Sequence, residues 1–320
     1  MDFKILLTGA TSFTGAHIGR SLVDRGWEVW ATLTQTLDET RNDPQRLARM
    51  EFSKIKNWVS NSSLGSPAFE KLLVENKFKV WINHGAPISG YRKMDFNYSK
   101  SALESLQGVE KNLKIFSQGG GGLLIHTGTI FEPNEGCETP GLEGASEALS
   151  PYGISKNWVW QATRFWAQKE NVNTTKIIIP NPIGAFENQD RLLPVFAKSW
   201  KAGASLPTLR GGNLVRDNLP ASWLAEVYAD EVAIHLKSFG PTRQTRIRRP
   251  SGFVLKQKDF LEMAIKNFRE INPKIKFDYK LDESPVDDVA ERFNLEPVEE
   301  LLKPHSQKEF WDDYSSYLLS

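Results

Sequence analysis

The stretch SPYGISK, residues 150–156, places a phenol and an ammonium four positions apart. On a helix, that spacing puts Tyr152 and Lys156 on one face. A lysine cation beside a phenol favours the tyrosinate, bringing a group with an ordinary pKa near ~10 toward proton exchange with an alcohol or ketone. Of the seven tyrosines, only Tyr152 has a lysine four residues later. A chance pair on a solvated helix is the plainer alternative. Upstream, the apolar run 123–127 ends in HTGTIFE, so Thr127 stands at the carboxyl end of a strand, where open α/β sheets hold their ligands. Its hydroxyl could bond the same substrate oxygen that Tyr152 protonates. Thr129 is the competitor two residues on.

A second chemical pattern lies near the start, in KILLTGATSFTGAHIG, residues 4–19. An apolar strand runs into a glycine turn and then a helix over 16–23. Gly9 permits the tight turn, and Gly15 lets the helix begin close to the strand with its free amides facing a pyrophosphate. Ser12 stands where a middle glycine would let the backbone approach the phosphates; it adds a Cβ and a hydroxyl able to donate. The loop Gly9, Thr11, Ser12, Phe13, Thr14 and Gly15 is therefore the candidate cofactor site. The next strand, EVWATLTQT, ends in Leu33, Thr34, Gln35 and Thr36. NAD sites usually carry a carboxylate there for the ribose 2′-hydroxyl. Its absence, with Thr34 in place and Arg41 nearby, tilts the expectation toward NADP(H) over NAD(H).

The elements that must position these groups follow from patterning. Apolar runs at 4–7, 28–33, 79–83 and 123–127 alternate with amphipathic stretches, as in a parallel sheet covered on both faces. The expected class is α/β, a doubly wound Rossmann sheet with a smaller C-terminal substrate lobe. Residues 1–182 would form the dinucleotide-binding domain, joined by a returning strand near 244–248, and 183–320 mostly the substrate lobe. The glycine run 119–122 precedes a strand and lacks a following helix, so it reads as a flexible entry and not a phosphate loop.

Composition narrows the function classes. With 40 Lys+Arg against 39 Asp+Glu in 320 residues, no global field points to nucleic acid or an anionic membrane. A single cysteine, Cys137, excludes an internal disulfide and suits a reducing compartment. The five histidines have no zinc-like spacing, so no metal is expected. No leader or bilayer-length apolar run is evident, which makes the cytoplasm the default expectation.

Taken in order, TGATSFTG (8–15), WINHGAP (81–87), DFN (95–97), IHTGTIFE (125–132), SPYGISK (150–156), IPNPIG (179–184), LRGGNLVRD (209–217) and FNLEP (293–297) resemble the extended short-chain dehydrogenase/reductases, the nucleotide-sugar epimerase/dehydratase group. The resemblance covers most of the chain. It implies a catalytic triad of Thr127, Tyr152 and Lys156, with Lys156 also holding the nicotinamide ribose, and Asn97 at the family's asparagine. It further implies Pro180 at the cofactor and Asn181 and Arg216 at the nucleotide diphosphate, with Thr129 near the substrate. Arg216 paired with Asp217 on the surface is the plainer alternative. Helices packed against a second copy would make a homodimer, an expectation that the aromatic content of helix 151–170 (Trp158, Trp160, Phe165, Trp166) supports.

The departures carry information too. Beyond Ser12, the chain has Ser222 and Trp223 where relatives usually have aspartates. Gly128 and Thr129 stand where sugar 4,6-dehydratases follow the threonine with Asp-Glu, so dehydration is not expected. Cys137, in the polar loop EPNEGCETPG, lies outside the position of an acid/base cysteine. Two reactions need only the triad and a nicotinamide: NADPH-dependent reduction of a 4-keto sugar, slightly preferred for want of the carboxylate, and NAD-dependent 4-epimerisation. A non-catalytic nucleotide-binding scaffold is the alternative of another class.

Overall fold

A computed structural model describes residues 3–87, 89–136, 147–203, 206–237 and 244–320; Cys137 lies outside them. Seven parallel strands form the main sheet, in the spatial order Thr245–Arg248, Asn173–Ile179, Leu123–Thr129, Val80–Asn83, Lys4–Thr8, Glu28–Thr32, Asn57–Val59. The continuous apolar runs follow from burial on both faces. Side chains alternate across the sheet: Ile5, Leu7, Ile82 and Ile125 enter one core, while Leu6, Trp81 and Leu124 enter the other. The expected doubly wound class is the observed one. Strand Asn57–Val59, too short to stand out in the pattern, extends the sheet at its edge.

The strand order reverses between Lys4–Thr8 and Val80–Asn83, which opens a crevice at their carboxyl ends. Thr8 staples this point, its Oγ1 accepting from the amides of His84 and Gly85, each at 3.1 Å. The glycine run 119–122 lies at the opposite end of the sheet, following helix Val109–Gln118 and entering strand Leu123–Thr129.

After Ile179 the chain leaves and re-enters this sheet. Strand Val215–Pro220 is flanked by Phe253–Lys256, Asn181–Ile183 and Glu291–Arg292 in a smaller sheet. Helices Leu192–Ala202, Gln257–Ile271 and Pro304–Leu319 pack beside it around Trp200, Phe260, Phe268 and Trp311. Helix Ala221–Lys237, by contrast, lies on helix Phe13–Asp24 of the main layer. There Ser21 donates to Glu226 at 2.7 Å, and Arg25 pairs with Glu226 and Asp230. Trp223 fills the junction, buried between Phe253 and Phe310. Its departure from the family pattern is thus a packing choice, contributing roughly 2–3 kcal/mol of apolar burial.

Candidate active site

Ser12 has a structural task. It is the N-cap of helix Phe13–Asp24, its Oγ accepting from the Gly15 amide at 3.1 Å. The helix therefore begins at Phe13, three residues before the expected start. Gly9 adopts φ +73°, and a Cβ on Gly15 would sit 2.1 Å from the Gly9 carbonyl oxygen. Both glycines are thus required by the backbone path. Gly9, Thr11, Ser12, Phe13 and Thr14 line one side of a cavity of about 1500 Å³ at the crevice. Gly15 is buried behind them.

Helix Pro151–Lys169 starts just as its sequence asks. Ser150, in extended backbone, caps the Gly153 amide, and Pro151 takes the first turn. A Cβ on Gly153 would lie 1.9 Å from the Phe131 carbonyl oxygen, so glycine lets the helix rest on the chain leaving strand Leu123–Thr129. That close approach brings Tyr152 and Lys156 to the same cavity as Thr127. Tyr91 and Phe96 clasp the Tyr152 ring edge-on at 5.2 and 6.0 Å.

The electrostatics correct one expectation. Burial raises the Tyr152 phenol well above its ordinary range, with Tyr91 and Glu132 adding to the effect; Lys156 is not what sets it. Lys156 is itself pulled down to about 8, chiefly by desolvation, with Glu132 opposing and Lys176 assisting. Spacing placed the two groups on one face, but burial outweighs their mutual influence. Glu132 is fully buried, held by Lys176 Nζ at 2.6 Å and by the Thr129 amide at 2.9 Å.

The Thr127 hydroxyl joins a hydrogen-bond chain that crosses the cleft. Its Oγ1 lies 2.9 Å from His84 Nδ1 and 2.7 Å from the Tyr228 hydroxyl, while His84 Nε2 lies 2.8 Å from Thr14 Oγ1. Thr129 also lines the cavity, but its hydroxyl accepts from the Phe131 amide at 3.4 Å. His84 and Tyr228 carry no signal of this role in the sequence beyond His84's place just past a strand's carboxyl end.

The remaining predicted residues divide. Thr34, Pro180, Asn181 and Arg216 all line the cavity. Arg216 is buried and donates to Asp288 at 2.8 Å and to the carbonyls of Val215 and Ala290. Its partner is not the adjacent Asp217, which instead accepts from the amides of Gly252 and Asn294. Asn97 stands apart from the cavity. It is exposed and caps helix Tyr98–Leu106, its Oδ1 accepting from the Lys100 amide at 3.0 Å. Arg41 does not line the cavity either. Arg46 does, donating to Gln35 Oε1 at 2.9 Å beside the end of strand Glu28–Thr32. Glu187, buried against Arg191 and accepting from the Tyr314 hydroxyl, also faces the cavity. Burial raises its carboxyl to about 8 despite Arg191 and Arg92. Among the described residues, no group of three or more metal-ligating side chains is present, and no helix is long and apolar enough to cross a membrane.

The model of the NAD dependent epimerase/dehydratase family covers residues 5–229. The chain belongs to this family. Within short-chain dehydrogenase/reductases, epimerase/dehydratase proteins are the extended type, as the ordered motifs implied. No curated protein matches the sequence significantly. Solved structures of the same fold include a Thermus thermophilus UDP-glucose 4-epimerase complexed with NAD, at 18% identity and TM-score 0.67 over 99% of both chains. Another is the Stenotrophomonas maltophila UDP-glucose-4-epimerase with NAD and formylated UDP-arabinopyranose, at 16% identity and TM-score 0.70, covering 99% of this chain and 98% of that one. A third is UDP-N-acetylglucosamine 4-epimerase from Methanobrevibacter ruminantium M1, at 13% identity, TM-score 0.70 and the same coverage.

Proposed function

We propose that the protein interconverts the C4 epimers of a nucleotide-activated sugar, using a bound nicotinamide dinucleotide. The observation that carries this reading is the convergence of Thr127, Tyr152 and Lys156 with the glycine loop on a single cavity. Its volume of about 1500 Å³ exceeds the ~300–1000 Å³ usual for one small ligand, which suits a dinucleotide and a nucleotide sugar together. The 4-epimerases of the same fold support the sugar class and favour epimerisation over the reduction expected first.

The residues present fit the cofactor. Gly9 brings its backbone against Gly85, where a Cβ would lie 2.7 Å from the Gly85 Cα, and Thr11, Phe13 and Thr14 face the cavity at a helix N-terminus. Thr34 and Pro180 would complete the cradle. A nicotinamide held there supplies the hydride acceptor and donor and, when oxidised, a positive charge that favours the tyrosinate. Tyr152 takes the proton from the sugar O4 and later returns it. Thr127 bonds the same oxygen, and Lys156 holds a cation one helical turn beyond Tyr152. Asn181 and Arg216 line the same cavity and would meet the diphosphate, where a guanidinium suits phosphate oxygens. Arg216 must exchange Asp288 for that ligand.

One observation favours a second reading, an NADPH-dependent 4-keto sugar reductase. Thr34, just past the end of strand Glu28–Thr32, and Arg46, on helix Pro44–Ser53, line the cavity with no carboxylate at that strand end, which suits a 2′-phosphate. A homodimer is part of either reading: Leu103, Trp158 and Phe165 leave an exposed apolar face on helices Tyr98–Leu106 and Pro151–Lys169. Trp160 is not part of it, being buried against His126. Light scattering tests the assembly.

The deciding experiment incubates purified protein with NAD and UDP-glucose or UDP-N-acetylglucosamine, following C4 inversion by NMR. A parallel arm offers NADPH and UDP-4-keto sugars, following NADPH absorbance. Inversion supports the epimerase. NADPH consumption without inversion transfers the assignment to the reductase. If neither arm turns over and Tyr152→Phe behaves like wild type in cells, the enzymatic reading is lost.

A further inference from the structure

The Thr127 hydroxyl has one proton and two neighbours, His84 Nδ1 at 2.9 Å and the Tyr228 hydroxyl at 2.7 Å. If that proton were spent on either neighbour, Thr127 could offer a substrate oxygen only a lone pair. A substrate alkoxide or ketone needs a donor there. The direction of each hydrogen bond therefore decides whether Thr127 can act.

Tyr228 settles its own direction. It lies on helix Ala221–Lys237, is fully buried, and burial raises its phenol, so it stays protonated. A buried O–H donates to the acceptor within reach, and Thr127 Oγ1 is that acceptor. His84 is neutral as well, held at about 3 by burial and by the nearby Lys156. A neutral imidazole carries one N–H and one acceptor nitrogen. With Thr14 Oγ1 at 2.8 Å from Nε2, the ring can take a proton from Thr14 and give one at Nδ1 to Thr127. The reverse arrangement would consume the Thr127 proton inside the protein.

We propose that His84 and Tyr228 are positioning residues that each donate to Thr127 Oγ1, leaving the Thr127 hydroxyl hydrogen directed at the substrate oxygen. Thr14, in the dinucleotide loop, sets the imidazole tautomer and so ties that loop to the competence of Thr127. The inference rests on Thr127 being the hydroxyl that meets the substrate. His84 and Tyr228, 43 positions before and 101 positions after Thr127, thereby join one hydrogen-bond chain.

Two measurements test it on the full-length protein. Nitrogen-15 NMR of the unliganded protein, with His84 assigned through His84→Gln, is expected to find the His84 proton on Nδ1 and to lose that coupling pattern in Thr14→Val. A proton on Nε2 overturns the proposal whatever the enzyme turns over. In steady-state inversion of UDP-glucose with NAD, Tyr228→Phe should lower kcat about tenfold with KM nearly unchanged, the effect of one misdirected hydrogen bond. In a Thr127→Val background, the same substitution should change kcat less than about twofold, because it acts only through Thr127. Equal losses in both backgrounds would mean a packing role and defeat the proposal. Absence of wild-type turnover would count against the epimerase reading, while the NMR result still judges the tautomer.

Discussion

Lys156 should make activity and stability run in opposite directions with pH. Its ammonium is pulled down to about 8 by burial, from an ordinary 10.5. A group at about 8 is about 90% charged at pH 7 and about 10% charged at pH 9. Tyr152, raised by its own burial, becomes a better-populated base as pH rises across that window, so the Lys156 effect is read against Lys156→Arg, whose guanidinium keeps its charge: if the cation is needed beside Tyr152, the wild-type to Lys156→Arg ratio of kcat/KM should fall about tenfold between those values. Stability follows from linkage. Between about 8 and 10.5, the unfolded chain holds a proton on this lysine that the folded protein lacks, so folding stability rises with pH there. At about 1.4 kcal/mol per pH unit, the ceiling on that gain is about 3 kcal/mol. Below pH 8 the burial cost is fully present, so Lys156→Met should be more stable than wild type at pH 7. The assay is denaturant unfolding of wild type and Lys156→Met from pH 7 to 10.5, beside the pH profiles of UDP-glucose inversion by wild type and Lys156→Arg. If wild type and Lys156→Met show the same stability difference throughout, or if the wild-type to Lys156→Arg ratio of kcat/KM is flat to pH 10, the argument from burial is wrong.

Other consequences follow from single contacts. Glu187, raised to about 8 by burial, keeps a proton in the folded state that the unfolded chain gives up above about 4.5. Wild-type melting temperature should therefore fall from pH 5 to pH 8 more steeply than that of Glu187→Gln, and parallel slopes would dismiss the buried carboxyl as the cause. Gly15→Ala forces a methyl to within 2.1 Å of the Gly9 carbonyl oxygen, so it should cost more than about 2 kcal/mol and abolish dinucleotide binding by calorimetry. Ser12→Gly removes only a cap that glycine partly replaces, and should cost a few tenths of a kcal/mol, with dinucleotide affinity within about threefold of wild type; tight binding restored only in that variant would instead mark Ser12 as an obstacle. Arg46→Ala should reduce the affinity for NADPH relative to NADH about tenfold, measured by nucleotide fluorescence, and an unchanged ratio would detach Arg46 from the cofactor.

What the amino-acid sequence determined by itself is local. The parallel strands are legible because burial on both faces demands unbroken apolar runs. TGATSFTG and SPYG are legible because a glycine turn, a capping serine and a proline in the first helical turn are fixed by neighbours within a few residues. The Tyr152–Lys156 pair follows from helical period alone. Tertiary structure decided what depends on distant segments. Whether Lys156 keeps its charge is set by how much water the packed cleft excludes, which no spacing encodes. Arg46 and not Arg41 reaches the cavity because the chain breaks at Asn42 and Asp43, ending helix Leu37–Arg41 and starting helix Pro44–Ser53 on a new course, and Asn97 faces outward because its amide oxygen is needed as a cap. Thr127 was visible as a hydroxyl at the end of a strand. The two neighbours that direct its proton come from a different strand end and from a helix laid over the sheet, and only folding brings three such segments within hydrogen-bond reach.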